Sequence, residues 1–343
     1  MQVTGIQQSL VEKWFDRHRG SSIVAIVIGR NEGERLKRCL ESLDRLDTAI
    51  VYVDSGSTDG STAHAEASGA LVVPLDSRIP FTAARARNAG VRAAQALGVT
   101  PKYFQFVDGD CTVRDGWLNH AVAFLDSNKG FAAVCGRRRE IAPSASIYNW
   151  LCDREWNTQV GECPSFGGDV LISSDEFNRA RGYRDDLICG EEPELCIRLR
   201  EKGLKIYRIG QEMTYHDANI MHFRQWWKRA IRSGYGTARV VHLHWRSAYV
   251  VWRRDLARSL FYGLALPALS LLGAVLSAWF LLLLALYPIH LLRVYLRASE
   301  SGWRSWAYAG LMTAAKFAES WGAIRYAWDC VTGRMSRIIE YKN

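Results

Sequence analysis

The first 220 residues alternate between short apolar runs and amphipathic stretches. Residues 23–28 form a continuous run rich in β-branched side chains, which is typical of a strand buried on both faces of a parallel sheet. Three similar runs follow at 49–53, 70–73 and 103–107, separated by stretches with helical spacing such as 82–97. This pattern predicts an α/β domain with a mostly parallel, twisted sheet.

The C-terminal part of the chain has a different pattern. No Asp, Glu, Lys or Arg occurs in the 33 residues from Leu260 to Leu292. A straight helix of that length would span about 50 Å, whereas a hydrocarbon core is about 30 Å thick. We therefore expect a bend, for which Pro267, Gly273 and Pro288 offer positions. A hairpin with both ends on the cytoplasmic side fits the basic flanks, while a single tilted span and a buried pair of core helices are the alternatives.

Charge is divided unevenly along the chain. Residues 1–220 contain 27 Lys and Arg against 30 Asp and Glu, whereas residues 221–343 contain 17 against 5. Nine of the 13 tryptophans also lie in the second part. Basic and tryptophan-rich flanks around an apolar segment indicate a membrane interface. Nucleic acid is not an expected partner, because the net charge of +9 does not belong to the predicted α/β domain.

These patterns predict five segments. The N-terminal extension has no apolar run typical of a secretory signal, so we expect the catalytic part to face the cytoplasm. The segments are an extension (1–20), an α/β domain (21–220), amphipathic interface helices (221–258), a transmembrane or re-entrant hairpin (259–293), and an amphipathic C-terminal helix and tail (294–343).

Polar residues follow the predicted strands at the points where ligands of such sheets bind. Asn31 and Glu32 follow the first strand, Asp54 ends the second, and Asp108-Gly109-Asp110 follows the fourth. Two carboxylates separated by glycine suit Mg²⁺ or Mn²⁺, which usually share their coordination with substrate phosphates. The sequence has neither the glycine-rich dinucleotide motif nor a P-loop at these positions.

Taken in order, these motifs resemble family-2 glycosyltransferases with the GT-A nucleotide-sugar-binding fold, over roughly residues 20–220. The matching segments are residues 24–32, 53–61, 86–90 (A-R-N-A-G), 108–110 (D-G-D), 167–169 followed by 181–183, and 190–195. The resemblance implies an inverting transfer from a nucleotide sugar, with a UDP- or GDP-sugar as the donor.

The resemblance also implies roles for individual residues. Those expected to bind the nucleotide sugar are Asn31, Glu32, Asp54, Arg87 and Asp108. Asp110 and His216 are expected to hold the metal. Glu192 takes the position of the catalytic base, where the family usually has Asp, and Glu191 competes for that role. The resemblance places Gly168 and Asp169 on the acceptor side, and the basic, tryptophan-rich end of the chain adds Trp226 and Trp227 as residues expected to meet a membrane-embedded acceptor.

Each of these assignments has a structural alternative. The acids at 191, 192 and 194 could only complement the N-terminus of a helix, and a lone histidine such as His216 is usually structural. Residues 137–139 are three consecutive arginines, which could bind an anionic acceptor. We expect them instead to form a solvated charged surface.

The sequence thus predicts a membrane-attached, metal-dependent inverting glycosyltransferase of the hexosyltransferase type. Its acceptor would be lipid-linked or a growing glycan, as in polysaccharide biosynthesis. Two alternatives remain: a polyprenyl-phosphate sugar synthase and a non-catalytic membrane scaffold that retains the fold.

Overall fold

The computed structural model describes residues 5–44, 46, 48–298 and 302–333, and the chain forms two compact units. The first unit contains the chain up to Ile141 together with Asp153–Leu187 and Glu191–Ala218. The second contains Ala142–Cys152, Ile188–Gly190 and the chain from Asn219 onward.

The first unit is built on a mixed sheet. Within the described residues the strands are β1 (Ile23–Gly29), β2 (Ala49–Asp54), β3 (Leu71–Pro74), β4 (Tyr103–Asp108), β5 (Cys111–Val113), β6 (Phe131–Glu140), β7 (Gly161–Glu162), β8 (Val170–Ser173) and β9 (Lys205–His216). Their order is β3-β2-β1-β4-β8-β6-β9-β5, and β7 pairs with β9. Strands β1 to β4 are parallel, β8 is antiparallel to β4 and β6, and β6 is parallel to β9.

Helices connect these strands and cover the sheet. They are α1 (Gly5–His18), α2 (Glu34–Asp44), α3 (Ser61–Ala67), α4 (Ala83–Ala96), α5 (Trp117–Ser127), α7 (Ser174–Arg179) and α8 (Glu191–Glu201), whereas α6 (Ile147–Glu155) belongs mostly to the second unit. The predicted α/β fold is confirmed, and the four apolar runs form β1 to β4 within one residue at each end. Residues 24–27 of β1, all of β2 and all of β4 except Asp108 are buried, which explains their continuous apolar pattern.

Helix α4 packs closely on the sheet because of one glycine. A Cβ at Gly90 would lie 2.6 Å from Ile26 Cγ2 and 3.0 Å from Val53 Cγ2. Thr82 caps the N-terminus of the helix by accepting a hydrogen bond from the Arg85 backbone amide (3.0 Å). This packing fixes Arg87, one turn before Gly90, in the buried part of the unit.

The second unit is helical. Its elements after residue 219 are α9 (Phe223–Leu243), α10 (Arg253–Leu260), a π-helical turn (Phe261–Ala265), α11 (Leu266–Ala274), a 3₁₀-helix (Ala278–Ala285), α12 (Leu286–Leu296) and α13 (Trp303–Thr332). Glycines allow α9 and α13 to touch along their backbones. A Cβ at Gly234 would overlap the Glu319 carbonyl oxygen, and one at Gly322 would overlap that of Ile231.

The long apolar segment bends at residues 275–277, shortly after Gly273. Pro267 and Pro288, which offered alternative positions for the bend, lie inside the two continuous helical stretches, shortly after the π-helical turn and the 3₁₀-helix respectively. The bend separates Arg253–Ala274 from Ala278–Leu296. By length and composition, each of these two stretches could cross a membrane.

Candidate active site

The loops after β1 and β2 are hydrogen-bonded to each other. The Asn31 side-chain oxygen accepts a hydrogen bond from the Thr58 amide (2.8 Å), and the Asn31 amide donates to Ser57 Oγ (2.9 Å). Asp54 Oδ2 accepts hydrogen bonds from the backbone amides of Gly56 and Ser57, both at 2.9 Å. These contacts shape the edge of the sheet where nucleotide binding was predicted. Glu32, on the same edge, forms an ion pair with Arg35 at 2.8 Å.

Arg87 lies at the centre of a cluster of carboxylates. Its Nη2 donates to Asp108 Oδ1 (2.8 Å), and its Nη1 donates to Glu191 Oε1 (3.0 Å) and Glu192 Oε1 (3.2 Å). The guanidinium is buried and also lies over the Tyr183 ring, 5.4 Å from its centroid. One buried cation therefore holds together three acids from distant parts of the sequence.

Asp108 is held as an anion between two arginines. Its Oδ2 lies 3.2 Å from Arg138 Nη2, in addition to the contact with Arg87. Burial by itself would raise the pKa of Asp108, but the charges of Arg87 and Arg138 outweigh burial and hold this pKa well below its usual range. A glycine makes the approach possible, because a Cβ at Gly168 would clash with Asp108 Oδ2 and lie 2.9 Å from Arg87 Nη2.

Arg138 is part of this network, so the prediction that it lies on a solvated charged surface is wrong. Its Nη2 lies 2.8 Å from Asp169 Oδ2, and Asp169 is completely buried. Asp169 also accepts hydrogen bonds from the Asp108 amide (3.1 Å) and from Thr214 Oγ1 (2.6 Å). In this structure Asp169 positions Asp108 and Arg138 and does not present its carboxylate to solvent. Its predicted contact with an acceptor therefore finds no support in the geometry.

Asp110 and His216 meet where β5 pairs with β9. His216 Nε2 lies 3.4 Å from Asp110 Oδ2, and both residues are buried. His216 Nδ1 lies 3.9 Å from Glu140 Oε2 and makes no hydrogen bond within the described residues. The ligand atoms of Asp110, Cys111 and His216 all lie within 4.8 Å of one another. This cluster provides the convergent side chains that a metal ion requires.

The chemistry of the cluster suits Mg²⁺ or Mn²⁺. A carboxylate oxygen and an imidazole nitrogen are ligands for such ions, which fill their remaining positions with water and phosphate oxygens. Burial raises the pKa of the Cys111 thiol well above its usual value, so this side chain stays protonated and is a poor ligand for a hard cation. Asp110 and His216 are thus the two side chains that fit the ion.

Glu191 and Glu192 begin α8, yet they do more than complement its N-terminus. Both contact Arg87, and the Glu192 side chain is 16% exposed, against 4% for Glu191. Burial raises the pKa of Glu192 to about 7; the charge of Glu191 acts in the same direction, and Arg87 opposes it. Glu192 is therefore the more accessible acid, and it exchanges its proton near neutral pH. Glu194 has a structural role, since it pairs with Arg198 at 2.7 Å.

The two predicted acceptor tryptophans lie in the second unit. Trp226 is 2% exposed and packs against Tyr148 and Phe223, so it belongs to the core of that unit. Trp227 is partly exposed and packs against Phe223. Of the pair, only Trp227 presents much of its surface for contact with another molecule.

Comparison with known proteins identifies the fold. Residues 24–161 match the family model described as glycosyl transferase family 2, and a search of curated proteins found no match. The chain is similar to the solved structure of mannosyltransferase PcManGT from Pyrobaculum calidifontis in complex with GDP-Man and Mn²⁺. The two share 16% identity over 95% of this chain and 97% of that chain, with a TM-score of 0.63. The fold is GT-A-like.

A second solved structure agrees with this assignment. It is S. aureus TarS 1-349, with 13% identity over 91% of this chain and 92% of that chain, and a TM-score of 0.51. At these identities the two solved structures show the fold alone. The family match is independent of them and supports a family-2 glycosyltransferase; it includes Arg87, Asp108 and Asp110 but ends before Glu192 and His216.

Within this GT-A-like domain, the sequence analysis overlooked the residues that support Arg87. Asn88 Nδ2 donates to the Tyr183 carbonyl oxygen (2.7 Å), and its Oδ1 accepts from the Tyr183 amide (3.0 Å). Gly182 adopts a positive φ of 65°, and a Cβ there would lie 2.6 Å from Asn88 Oδ1. The shared motifs A-R-N-A-G and R-G-Y thus form one contact that places Tyr183 beneath Arg87.

Proposed function

We propose that this chain is a metal-dependent, inverting glycosyltransferase that transfers a hexosyl group from a UDP- or GDP-sugar to a lipid-linked or glycan acceptor at the cytoplasmic face of a membrane. One observation carries the proposal: the buried Arg87 forms ion pairs with Asp108, Glu191 and Glu192. A second cluster, Asp110 and His216, lies two residues along the chain from Asp108.

The second cluster supports metal dependence. Asp110 and His216 would hold Mg²⁺ or Mn²⁺, with the donor diphosphate completing the coordination. When bound, the ion stabilises the negative charge that develops on the departing nucleoside diphosphate. The similar mannosyltransferase was solved with GDP-Man and Mn²⁺, which supports a nucleotide sugar and this class of ion.

Glu192 is suited to act as the general base. In the proposed step the acceptor hydroxyl oxygen forms a bond to the anomeric carbon while the bond from that carbon to the diphosphate breaks. The electron pair leaves with the diphosphate, and the hydroxyl proton passes to Glu192. A base whose pKa is about 7 is half deprotonated at neutral pH and can still accept a proton effectively. A single displacement of this kind inverts the anomeric configuration.

Arg87 holds the three carboxylates of the candidate active site in place. Asp108 stays ionised beside it, so Asp108 can accept hydrogen bonds from the hydroxyl groups of the nucleotide sugar. Glu191 is the less exposed member of the acid pair, and its charge raises the pKa of its neighbour. We therefore assign Glu191 a positioning role and Glu192 the proton transfer.

The second unit supports attachment to a membrane. The turn between its two apolar stretches exposes Val275 (84%) and Leu276 (84%), and the helices beside it expose Leu272 (72%) and Trp279 (78%). Soluble monomers rarely expose such contiguous apolar surface. Basic residues flank the segment on both sides at positions 253, 254, 258, 293 and 297. A lipid-linked acceptor would present its sugar at the headgroup level of the same membrane.

The second candidate function is a polyprenyl-phosphate sugar synthase. Such an enzyme transfers the sugar to a phosphate oxygen. Because that oxygen carries no proton to remove at neutral pH, the enzyme needs no catalytic base. The raised pKa of Glu192 favours a hydroxyl acceptor. A non-catalytic scaffold is disfavoured because every predicted catalytic and metal-binding side chain is present.

A donor screen tests the proposal. The full chain in detergent is incubated with Mn²⁺ or Mg²⁺, membrane lipid extract and each of a panel of UDP- and GDP-sugars, and the release of nucleoside diphosphate is measured. One donor should give release that depends on the metal and on the extract. Asp110→Asn should abolish it, while Asp115→Asn, an exposed acid on the same chain segment, should not. Release that is equal in both variants would contradict the proposal.

A further inference from the structure

A pocket in the first unit is lined by arginines that are not part of the candidate active site. Arg137 and Arg139 flank Arg138 on β6, but they line a pocket of about 410 Å³ that Arg138 does not line. We call it the arginine pocket and define it by Arg137, Arg139, Asp153, Thr158, Arg208 and Glu212. Its volume is in the range of sites that bind small molecules.

The arginine pocket carries more positive than negative charge. Asp153 is shared between Arg137 (3.1 Å) and Arg139 (3.2 Å), and Glu212 pairs with Arg139 at 2.9 Å. Arg208 has no carboxylate partner in the described part of the chain. Its Nη1 instead donates to the Trp156 carbonyl oxygen (3.0 Å) and to Thr158 Oγ1. The pocket thus has three guanidinium groups and two carboxylates.

Two of these guanidinium groups have buried donors without an acceptor. Arg208 Nε and Arg137 Nη1 are inaccessible to solvent and make no hydrogen bond to any described residue. Arg208 as a whole is only 6% exposed. These two atoms are shielded from the pocket, so they show only that the two guanidinium groups are not fully paired by the protein. Burial, with the nearby charges of Arg139 and Arg208, lowers the pKa of Arg137 despite the opposing charge of Asp153.

We propose that the arginine pocket binds a polar small molecule that carries a phosphate or carboxylate group. The oxyanion is attracted by the excess positive charge and accepts hydrogen bonds from the accessible guanidinium nitrogens of Arg137, Arg139 and Arg208 that line the pocket. Arginine is the side chain best suited to such groups, because its donors match the geometry of their oxygens. Asp153, Glu212 and Thr158 are acceptors for hydroxyl groups, so a sugar acid or sugar phosphate fits better than a bare ion.

The arginine pocket shares its strands with the active site. β6 carries Arg137 and Arg139 on either side of Arg138, which binds Asp108 and Asp169. β9 carries Arg208 and Glu212 in the pocket, and then Thr214 and His216. A ligand in the pocket therefore contacts the two strands that place the metal-binding histidine and the buried Arg138.

Binding is tested with the full chain in detergent, in EDTA so that the donor site holds no metal. The probes are glucose 6-phosphate and glucuronate, with glucose as the neutral control, and binding is measured by isothermal titration calorimetry. Wild type should bind at least one anionic probe saturably and should not bind glucose. Arg137→Gln and Arg208→Gln should each weaken binding roughly tenfold or more, because a hydrogen bond to a charged group is lost. Arg179→Gln, an exposed arginine on α7, should bind as wild type does.

A second variant tests the pocket without removing an arginine. Gly210 lines the pocket, and a Cβ there would meet only Val160 Cγ2, at 3.8 Å. Gly210→Ile should fill part of the space and weaken binding while the chain stays folded. Asp110→Asn should leave binding unchanged. No binding to wild type, binding as tight as wild type in all three pocket variants, or binding that is lost only in Asp110→Asn would each overturn the proposal.

Transfer kinetics distinguish the two sources of such a ligand. If it is a free effector, a saturating probe should change kcat in wild type and not in Arg208→Gln. If the pocket holds the anionic end of the acceptor, the probe should raise the KM for acceptor and leave kcat unchanged. Failure of the chain to transfer sugar at all would contradict the proposed function without affecting the binding result.

Discussion

At the scale of single residues, the site depends on how many charges meet at Arg87. One buried guanidinium cannot fully balance Asp108, Glu191 and Glu192, so one acid must have an elevated proton affinity. Asp108 is also stabilised by Arg138 and stays ionised, whereas Glu192 has only a share of Arg87. The unequal environments separate the acids into a permanent anion and a group that exchanges protons at neutral pH.

The first prediction concerns the pH dependence of transfer. Glu192 must be deprotonated to act as a base, and burial raises its pKa to about 7, so kcat/KM should fall as the pH is lowered through about 7. Glu191→Gln removes the neighbouring negative charge, which lowers the pKa of Glu192 and should move the acidic limb to lower pH. If kcat/KM of the wild type falls only below pH 5, near the usual pKa of glutamate, the assignment of Glu192 as the base is contradicted.

The second prediction compares two adjacent glycines. Gly168→Ala places a methyl group against Asp108 Oδ2 and Arg87 Nη2, so it should separate this ion pair and lower transfer by roughly tenfold or more. A Cβ at Gly167 meets nothing within 4 Å, so Gly167→Ala should retain near wild-type activity. Steady-state rates for the two variants, measured alongside their thermal unfolding, test this difference. Equal rates would show that the close approach at Gly168 is unimportant.

At the scale of elements, the apolar patterns predicted β1 to β4, while β6 and β9 have no such simple pattern. All four have continuous apolar sequences, and β1, β2 and β4 are buried over most of their length, whereas β3 has a partly exposed face. β6 ends in three arginines and β9 contains Arg208, Gln211 and Glu212, so neither has a simple pattern. In both strands the polar residues serve the site or the arginine pocket, and such residues interrupt the pattern that sequence analysis relies on.

The interruption of apolar patterns by polar residues also explains which site residues could be predicted from the sequence. Asp108 and Asp110 were recognisable because they directly follow an apolar strand, and Arg87 because it lies in a family motif. Arg138 looked like one member of a solvated run. Successive side chains of a strand point to opposite faces, so the middle arginine of three should differ from its neighbours. That alternation was a signal available in the sequence.

The third prediction uses this difference on β6. Arg138→Gln leaves the completely buried Asp169 without its ion-pair partner and should destabilise the protein by roughly 3–5 kcal/mol. Arg139→Gln removes a half-exposed cation and should cost about 1 kcal/mol or less. Thermal unfolding of the full chain in detergent measures both variants. Similar losses of stability would indicate that Arg138 is not in a buried network.

At the scale of the whole molecule, acidic and basic residues separate between the two parts of the sequence. The GT-A-like domain has a slight excess of acids, and the C-terminal helices have a large excess of bases around an apolar segment. The exposed apolar turn at residues 275–277 contains no charged side chain, so it can remain within a bilayer. This arrangement favours a hairpin that enters the membrane from the cytoplasmic side.

The fourth prediction is the sidedness of this segment. Single cysteines introduced near residues 255 and 297 should react with an impermeant thiol reagent from the same, cytoplasmic side of sealed vesicles. Replacing the exposed Cys330 and the partly exposed Cys163 with serine removes the native thiols that a reagent could reach. Labelling of the two positions from opposite sides would indicate a single membrane span instead of a hairpin. An intact chain that stays in solution without detergent would contradict membrane attachment altogether.

We propose a division of roles in which Asp110 and His216 hold the metal and the donor diphosphate, and Glu192 removes the acceptor proton. Donor affinity and transfer rate, measured together in Asp110→Asn and Glu192→Gln, test it most directly. Asp110→Asn should lose both metal-dependent donor binding and transfer. Glu192→Gln should bind the donor as wild type does and transfer roughly 10²–10⁴-fold more slowly. The claim is contradicted if Asp110→Asn keeps its metal-dependent donor affinity, or if Glu192→Gln transfers sugar at the wild-type rate.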